Sequence, residues 1–539
     1  MRFFNTAGPI NPEDHYYIDL LSRINIDDIM FLIDQKKYFV LHAPRQTGKT
    51  SCMLALMHHL NKEGKYACLY VNIEAAQGAR ENVEQAMHDI LNELAGRAKY
   101  FLKDPFPSEI LPDIFVKGGY GTALNQCLTQ YSEHLSKPLV LLIDEIDSLI
   151  GDTLISVLRQ IRSGYDKRPD GFPQSIVLCG VRDIRDYRIH SSREKEIITG
   201  GSAFNIKARS LRLGDFDKEE VLSLLYEHVK ETGQPFEDKA KELIWNYTQG
   251  QPWLVNALAY QACFETKEKR DKIVQKEPIT EDIIIDAKES LILRRETHLD
   301  QLADKLREER VRRVIEPIIT GNKLTSAIPE DDVQYLVDLG LIRRKPSIEI
   351  SNPIYMEIIP RMLTSTTQDT ISQQSSWYVK QDGTLDMEKL ISAFQEFFRE
   401  HSEHWVERFD YKEAGPQLLM QAFLQRIINS GGRIEREYGL GRMRTDLLVI
   451  WKYDDNLDST QKIVIELKLL YKSLQKTIKD GVKQTLEYMD RCSADEGHLI
   501  IFDRTEGKAW EEKIFRREEK PDSSNKNGVK EKKVIVWGM

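Results

Sequence analysis

The chain has few cysteines and pairs none of them. The six (Cys52, Cys68, Cys127, Cys179, Cys263 and Cys492) are scattered over 539 residues, form no CxxC spacing and mostly stand in apolar surroundings. That usage excludes a disulfide framework and a cysteine-based zinc site, and suits reduced, buried thiols. Long apolar runs are missing too: no stretch approaches the roughly 18–20 residues that a membrane span needs. The opening MRFFNTAGPINPEDHYY lacks the apolar segment of a signal peptide. A cytoplasmic protein without membrane contact is expected. Nor is there an excess of basic charge. With 76 Lys and Arg against 85 Asp and Glu the net charge is −9, so contact with nucleic acid must come from local patches. The length exceeds an ordinary domain, and three or four units are expected, each with its own core.

Against these absences, two regions concentrate chemistry. In KKYFVLHAPRQTGKTSCMLALMHHL a buried strand (Tyr38 to His42) leads through a turn into an apolar helix opening at Lys49. That order of strand, loop and helix is what a phosphate-binding loop requires, because backbone N–H groups and the helix N-terminus then face the phosphates. Pro44, Arg45, Gln46, Thr47 and Gly48 would form the cradle, Lys49 would reach the β- and γ-phosphates of ATP, and Thr50 would ligate Mg²⁺. Ala43 stands where the motif has its first glycine.

KPLVLLIDEIDSLI reads as a buried parallel strand, Leu139 to Ile143, delivering Asp144 and Glu145 to its carboxyl end, where ligands of α/β sheets bind. Asp144 would hold Mg²⁺ through water and Glu145 would polarise the attacking water, which implies hydrolysis as well as binding. A helix cap made by Asp144, Glu145 and Asp147 competes for this stretch taken alone. Further strands end at Glu74 and run from Ser175 to Val181, and their alternation with helical segments predicts a parallel sheet wrapped by helices.

Further on, TQGQPWLVNALAYQAC enters a helix through Gly250 and Pro252, and DDVQYLVDLGLIRRKPSIEISNPIYMEIIPRML follows. These stretches resemble the lid and winged helix of STAND and replication-initiator-like ATPases. With PRQTGKT and the closing NPIY and PR, residues 1–363 look like the prokaryotic AAA-ATPase-like family. The resemblance implies a sensor or arginine finger after the strand ending at Val181, where Arg182, Arg185 and Arg188 stand. Surface salt bridges are the alternative for these three, and a finger supplied in trans would require a homo-oligomer. Arg343, Arg344 and Lys345 mark the position of a DNA-binding wing, but Asp331, Asp332 and Asp338 populate the helix before it and would repel phosphates. Domain packing or switching is preferred there.

From Thr364 to Ser376 the sequence is nearly all Ser, Thr and Gln, too polar to build a core, and is read as a linker. Helical periodicity returns in LDMEKLISAFQEFFREHSEHWVERF and in GPQLLMQAFLQRIINSGG. Asp446 then opens an apolar strand, and 20 residues later a second one delivers Glu466 and Lys468 on one face. A carboxylate and an ammonium side by side are either a salt bridge or part of a metal-dependent phosphodiester site. As a hairpin the two strands would bring Asp446 and Glu466 to one cation, with Lys468 beside it.

The order Asp, Glu-x-Lys resembles the PD-(D/E)XK nuclease superfamily. Gln484 and Tyr488 match the Gln-x-x-x-Tyr of its exonuclease-like branch, and Gly439, Gly441, Arg442 and Asp446 match a stretch of domains attached to bacterial AAA-ATPase-like modules. Thr445 replaces the proline, and the acid expected on the preceding helix is not evident: Gln421 stands there, while Glu435 and Glu437 precede Asp446 on a strand. Arg433, Arg436, Arg442 and Arg444 cluster before Asp446. Lys472, Lys476, Lys479 and Lys483 recur at spacings of four, three and four, which would line one helix face along a nucleic-acid backbone, DNA being preferred to RNA.

The expected fold class is α/β: a P-loop ATPase with parallel sheet, helical lid and winged helix, then a C-terminal α/β PD-(D/E)XK nuclease-like domain. The expected divisions are 1–235 (ATPase core), 236–300 (lid), 301–363 (winged helix), 364–378 (linker) and 379–539 (nuclease-like). The expected function is ATP-gated, Mg²⁺-dependent cleavage of nucleic acid, with defence against mobile elements suggested by the company such fusions keep. The alternative is a nucleotide-driven switch whose C-terminal domain binds nucleic acid or a protein without cutting.

Overall fold

The computed structural model describes residues 1–183, 188–191, 196–199, 204–294, 304–319, 328–344, 347–363, 378–380, 382–406, 420, 423–424, 432–437, 446–452, 460–470, 473–494, 496–503, 505, 508–519 and 533–539. The linker expected at 364–376 and most of the second C-terminal helix, with Gln421, lie outside them. No described helix is long and apolar enough to cross a membrane. Residues Met1–Glu296, Val333–Arg344 and Ser351–Pro353 form one compact unit, and the remainder forms a second.

The first unit is built on a five-stranded parallel sheet. Its strands β1 (Tyr38–His42), β2 (Ala67–Asn72), β3 (Leu139–Asp144), β4 (Ser175–Gly180) and β5 (Lys207–Arg212) lie in the order β2-β3-β4-β1-β5. Apolar runs form β1 to β4 because both their faces are covered, whereas the edge strand β5, KARSLR, is mostly polar and partly exposed. Alternation sends Phe39, Leu41, Tyr70, Leu142 and Val177 to one core and Tyr38, Val40, Leu69, Leu141 and Leu178 to the other. Helix α1 (Lys49–Glu63) follows β1 directly, and α2 (Pro252–Cys263) belongs to a helical subcore with Val221, Leu224 and Ile244. In sequence there follow helix Glu309–Ile319, helix α3 (Glu330–Asp338), the two-residue strands Ile342–Arg343 and Glu349–Ile350, and helix Pro353–Leu363.

The second unit carries a six-stranded mixed sheet ordered β6-β7-β8-β9-β11-β10, with β6 Gly432–Glu437, β7 Asp446–Lys452, β8 Thr460–Leu469, β9 Glu496–Phe502, β10 Phe515–Glu519 and β11 Val534–Gly538. Strands β8, β9 and β11 run parallel and the outer pairings are antiparallel. Helix α4 (Met387–Val406) packs Leu390, Ile391 and Phe394 against Leu447, Ile465 and Ile500 on one face. Helix α5 (Leu474–Cys492) crosses from β8 to β9 over the other, packing Tyr488 and Met489 on Val464, Leu499 and Ile501. Its start is capped by Ser473, whose side chain accepts the Lys476 N–H. Gly481 lets it lie close, because a Cβ there would come within 2.6 Å of Leu499.

Candidate functional site

Because β4 lies between β1 and β3, the loops leaving these strands share one edge of the sheet. The loop after β1 begins with Ala43, fully buried and bonded from its N–H to Gly180 O at 3.2 Å. Ala43 is not in a left-handed conformation, so the absent glycine costs nothing. The left-handed positions are Gln46 (φ 57°) and Gly48 (φ 90°). Thr47 Oγ1 donates to Pro44 O at 2.8 Å, and Lys49 Nζ donates to Ala43 O and Pro44 O at 3.0 and 2.9 Å. No side chain caps the start of α1. Its first N–H groups and the Lys49 ammonium therefore make an anion site of the kind a nucleotide phosphate occupies.

Opposite the loop, Asp144 is fully buried at the end of β3. Its Oδ2 accepts from Thr50 Oγ1 at 2.7 Å and from the Tyr70 hydroxyl at 2.9 Å, while Oδ1 accepts the Glu145 N–H at 3.0 Å. A hydroxyl and a carboxylate thus converge on one spot, a hard-oxygen donor pair that fits Mg²⁺. Glu145 takes a left-handed backbone (φ 59°). Burial, reinforced by Asp147 and Asp144 against the opposing charge of Lys49, pushes the Glu145 carboxyl up, toward the basicity a proton acceptor needs. Asp147 pins the neighbouring strand end by accepting the Val181 N–H at 3.0 Å.

In the second unit, strand register brings together what the sequence separates. Asp446 pairs directly with Glu466, and Glu437 pairs directly with Asp446, so three acidic positions occupy one row across β6, β7 and β8. Glu466 is 1 % exposed, and its Oε1 lies 2.5 Å from Lys468 Nζ. Both members of the Glu466–Lys468 pair are on the α5 side, as are Gln484 and the buried Tyr488, one turn apart on that helix. Among the described residues no group of three His, Cys, Asp or Glu is poised to hold a metal. The side chains of Arg433, Glu435, Arg436, Glu437 and Asp446, and the residues Gly439, Gly441, Arg442, Arg444, Thr445 and Lys472, lie outside the description. Lys476, Lys479 and Lys483 are exposed on α5, but Asp480 and Glu487 interleave with them, and Lys483 stands 4.0 Å from Glu487. That face is mixed in charge rather than a basic stripe.

Residues 33–187 match the family described as AAA domain. The first unit contains an AAA-type ATPase domain, which binds and hydrolyses ATP. Among solved structures the chain resembles a Walker-type ATPase of Pyrococcus abyssi, at 14 % identity over 66 % of this chain and 99 % of that one, with a TM-score of 0.44. It also resembles the RuvB Holliday junction branch migration motor of Thermotoga maritima, at 15 % identity over 65 % and 95 %, with a TM-score of 0.31. No curated protein matches the sequence.

Of the three arginines after β4 in the AAA-type domain, Arg182 is the one whose side chain is described. Its Nε lies 3.4 Å from Asp338 Oδ2 and its guanidinium sits 5.0 Å from the centre of the Tyr335 ring. Asp338, 2 % exposed, also accepts from Gln334 Nε2 at 2.9 Å. Arg185 lies outside the description, and Arg188 begins a short strand, Arg188–Ser191. A cleft of about 600 Å³ near Glu84, Asp152 and Arg159 is the larger opening, yet it holds no loop residue. A smaller cavity of about 100 Å³ touches Arg23, Gly48, Phe216 and Trp253. The second cavity is bordered by the loop residues Gln46, Thr47 and Gly48. Sequence reasoning missed Arg23, Tyr70 and Trp253, which no local motif marks.

Proposed function

We propose that this protein is an ATPase whose nucleotide state gates a Mg²⁺-dependent nuclease domain acting on nucleic acid, DNA in preference to RNA. The observation that carries the nuclease reading is the row of acidic positions Glu437, Asp446 and Glu466, with Lys468 ion-paired to Glu466. In this reading Glu437 on β6 serves as the third acid, which is not evident in the sequence of the preceding helix. In this reading the order of domains is ATPase core, lid, winged helix, linker and PD-(D/E)XK-type nuclease, divided as expected above.

The residue roles follow from the chemistry. Backbone N–H groups from Arg45 to Gly48, in the loop that Pro44 begins, cradle the phosphates, Lys49 neutralises them, Thr50 and Asp144 would hold Mg²⁺, Glu145 takes the proton of the attacking water, and Arg182, released from Asp338, meets the γ-phosphate. In the nuclease domain Asp446 and Glu466, with Glu437, hold the cation. Lys468 neutralises charge developing on the phosphate, and Gln484 and Tyr488 position it. Mg²⁺, when bound, supplies positive charge against phosphate oxygens and a more acidic bound water.

The test is cleavage of linear and circular DNA and of RNA with Mg²⁺ or Mn²⁺, with Asp446→Ala as control. Cutting that disappears in the variant supports the nuclease. A second reading, a switch whose C-terminal domain only binds, draws on the 2.5 Å Glu466–Lys468 pair, which a purely structural sheet end would also make. Absence of cutting under all these conditions, with ATP hydrolysis intact, favours it.

A further inference from the structure

Arg23 lies far from the loop in sequence and belongs to neither signature of the ATPase. Its two terminal nitrogens nevertheless make separate bonds: Nη1 donates to Thr47 O at 2.8 Å and Nη2 donates to Gly214 O at 2.8 Å. The guanidinium also lies 4.6 Å from the centre of the Phe216 ring. One planar fork thus joins the phosphate loop to Gly214, which follows β5, and to Phe216, whose own N–H is bonded to Gly250 O at 2.9 Å just before α2.

A peptide unit is planar and trans, so its carbonyl and its N–H point in opposite directions. With Thr47 O turned to Arg23, the Gly48 N–H is turned away from it. We infer that Arg23 is a positioning residue for ATP: it fixes the Thr47–Gly48 peptide so that the Gly48 N–H faces the phosphate, and it ties that orientation to the connection leading into the lid. The φ of 90° favours glycine at position 48, and a Cβ there would come within 2.9 Å of Arg23 Nη1 and push the guanidinium aside. Lysine cannot substitute fully, because it offers a point charge where two carbonyls need a fork.

The inference rests on the reading of residues 43–50 as the phosphate loop, and its test keeps the two apart. In the full-length protein, Arg23→Gln is expected to raise KM for ATP about tenfold, the effect of losing a hydrogen bond from a charged donor. Turnover at saturation is expected to stay within about twofold, and thermal melting of the nucleotide-free protein to remain close to wild type. Arg23→Lys, which can reach one carbonyl, should fall between and decides the matter if the Gln variant does not fold. An unchanged KM in either variant overturns the inference, as does a loss of turnover that tracks a lowered melting temperature with KM constant. Failure of the wild-type protein to bind ATP would instead overturn the phosphate-loop reading.

Discussion

The Thr50 hydroxyl donates to Asp144 Oδ2 at 2.7 Å, although 94 residues separate them in sequence. The bond ties the first turn of α1 to the end of β3, and Tyr70 holds the same carboxylate oxygen from the adjacent strand. The protein's own bonds thereby hold the two oxygens together, which favours positioning without reorganisation.

The two halves of this site are expected to separate binding from hydrolysis. Lys49→Ala should weaken ATP binding and lower hydrolysis by about two orders of magnitude or more. Glu145→Gln should leave binding within about twofold while lowering turnover at least 100-fold, roughly the share of a proton acceptor. Nucleotide titration run beside phosphate release distinguishes them, and equal loss of both properties in Glu145→Gln would contradict the assigned role.

Arg182 is held by Asp338, a carboxylate that the protein covers almost completely. Asp338→Asn removes the charge but keeps the shape, so the Arg182 cation becomes more available to the γ-phosphate. ATP turnover should rise severalfold, and Arg182→Gln in the same background should cancel the rise. A turnover that Asp338→Asn leaves unchanged would make the pair a structural salt bridge only.

Removing one carboxylate from the register row is expected to lower metal-dependent cleavage in graded fashion. Glu466→Gln should abolish it and Glu437→Gln should raise the Mg²⁺ concentration needed for half-maximal cutting. Lys468→Met should lower the rate with little change in that concentration. A Glu437→Gln enzyme with an unaltered Mg²⁺ requirement would place the third ligand elsewhere.

His228 gives the helical subcore an acid sensitivity. Its Nε2 faces Gln234 Oε1 at 3.0 Å, and its buried Nδ1 has no hydrogen-bond partner among the described residues. The rings of Phe4, Tyr16, Phe236 and Phe264 surround it at 5.6–5.8 Å. Burial holds its pKa below the usual imidazole value, with the Gln234 bond and the Glu231 charge opposing. The unfolded chain therefore takes up the proton first as pH falls from about 6.5. Stability is full above that pH and declines as pH drops toward the folded pKa. Melting curves at stepped pH should show this slope in wild type and a shallower one in His228→Phe.

What was legible in the sequence was local. The run Tyr38 to His42 is a strand with those bounds, α1 opens at Lys49, and Leu139 begins β3, because each is an apolar stretch bounded by turn or polar residues. The helix expected to carry the spaced lysines spans Leu474–Cys492 and holds Lys476, Lys479 and Lys483. Pairings between distant segments were not legible. Arg23 meets Gly214 from 191 residues away and Arg182 meets Asp338 from 156, and no periodicity encodes either. Glu437 was visible as a residue on the approach to Asp446, but its place in the row depends on antiparallel register, which only the paired strands define. The lysine face misled because spacing alone hides the acids that share it.

The most direct measurement of the central claim is the rate of DNA cleavage with Mg²⁺ across a range of ATP concentrations, for the wild-type protein and for Lys49→Ala. Nucleotide-gated cleavage predicts a rate that changes with ATP in the wild type and stays flat in the variant. Equal rates for the two proteins at every ATP concentration would contradict it.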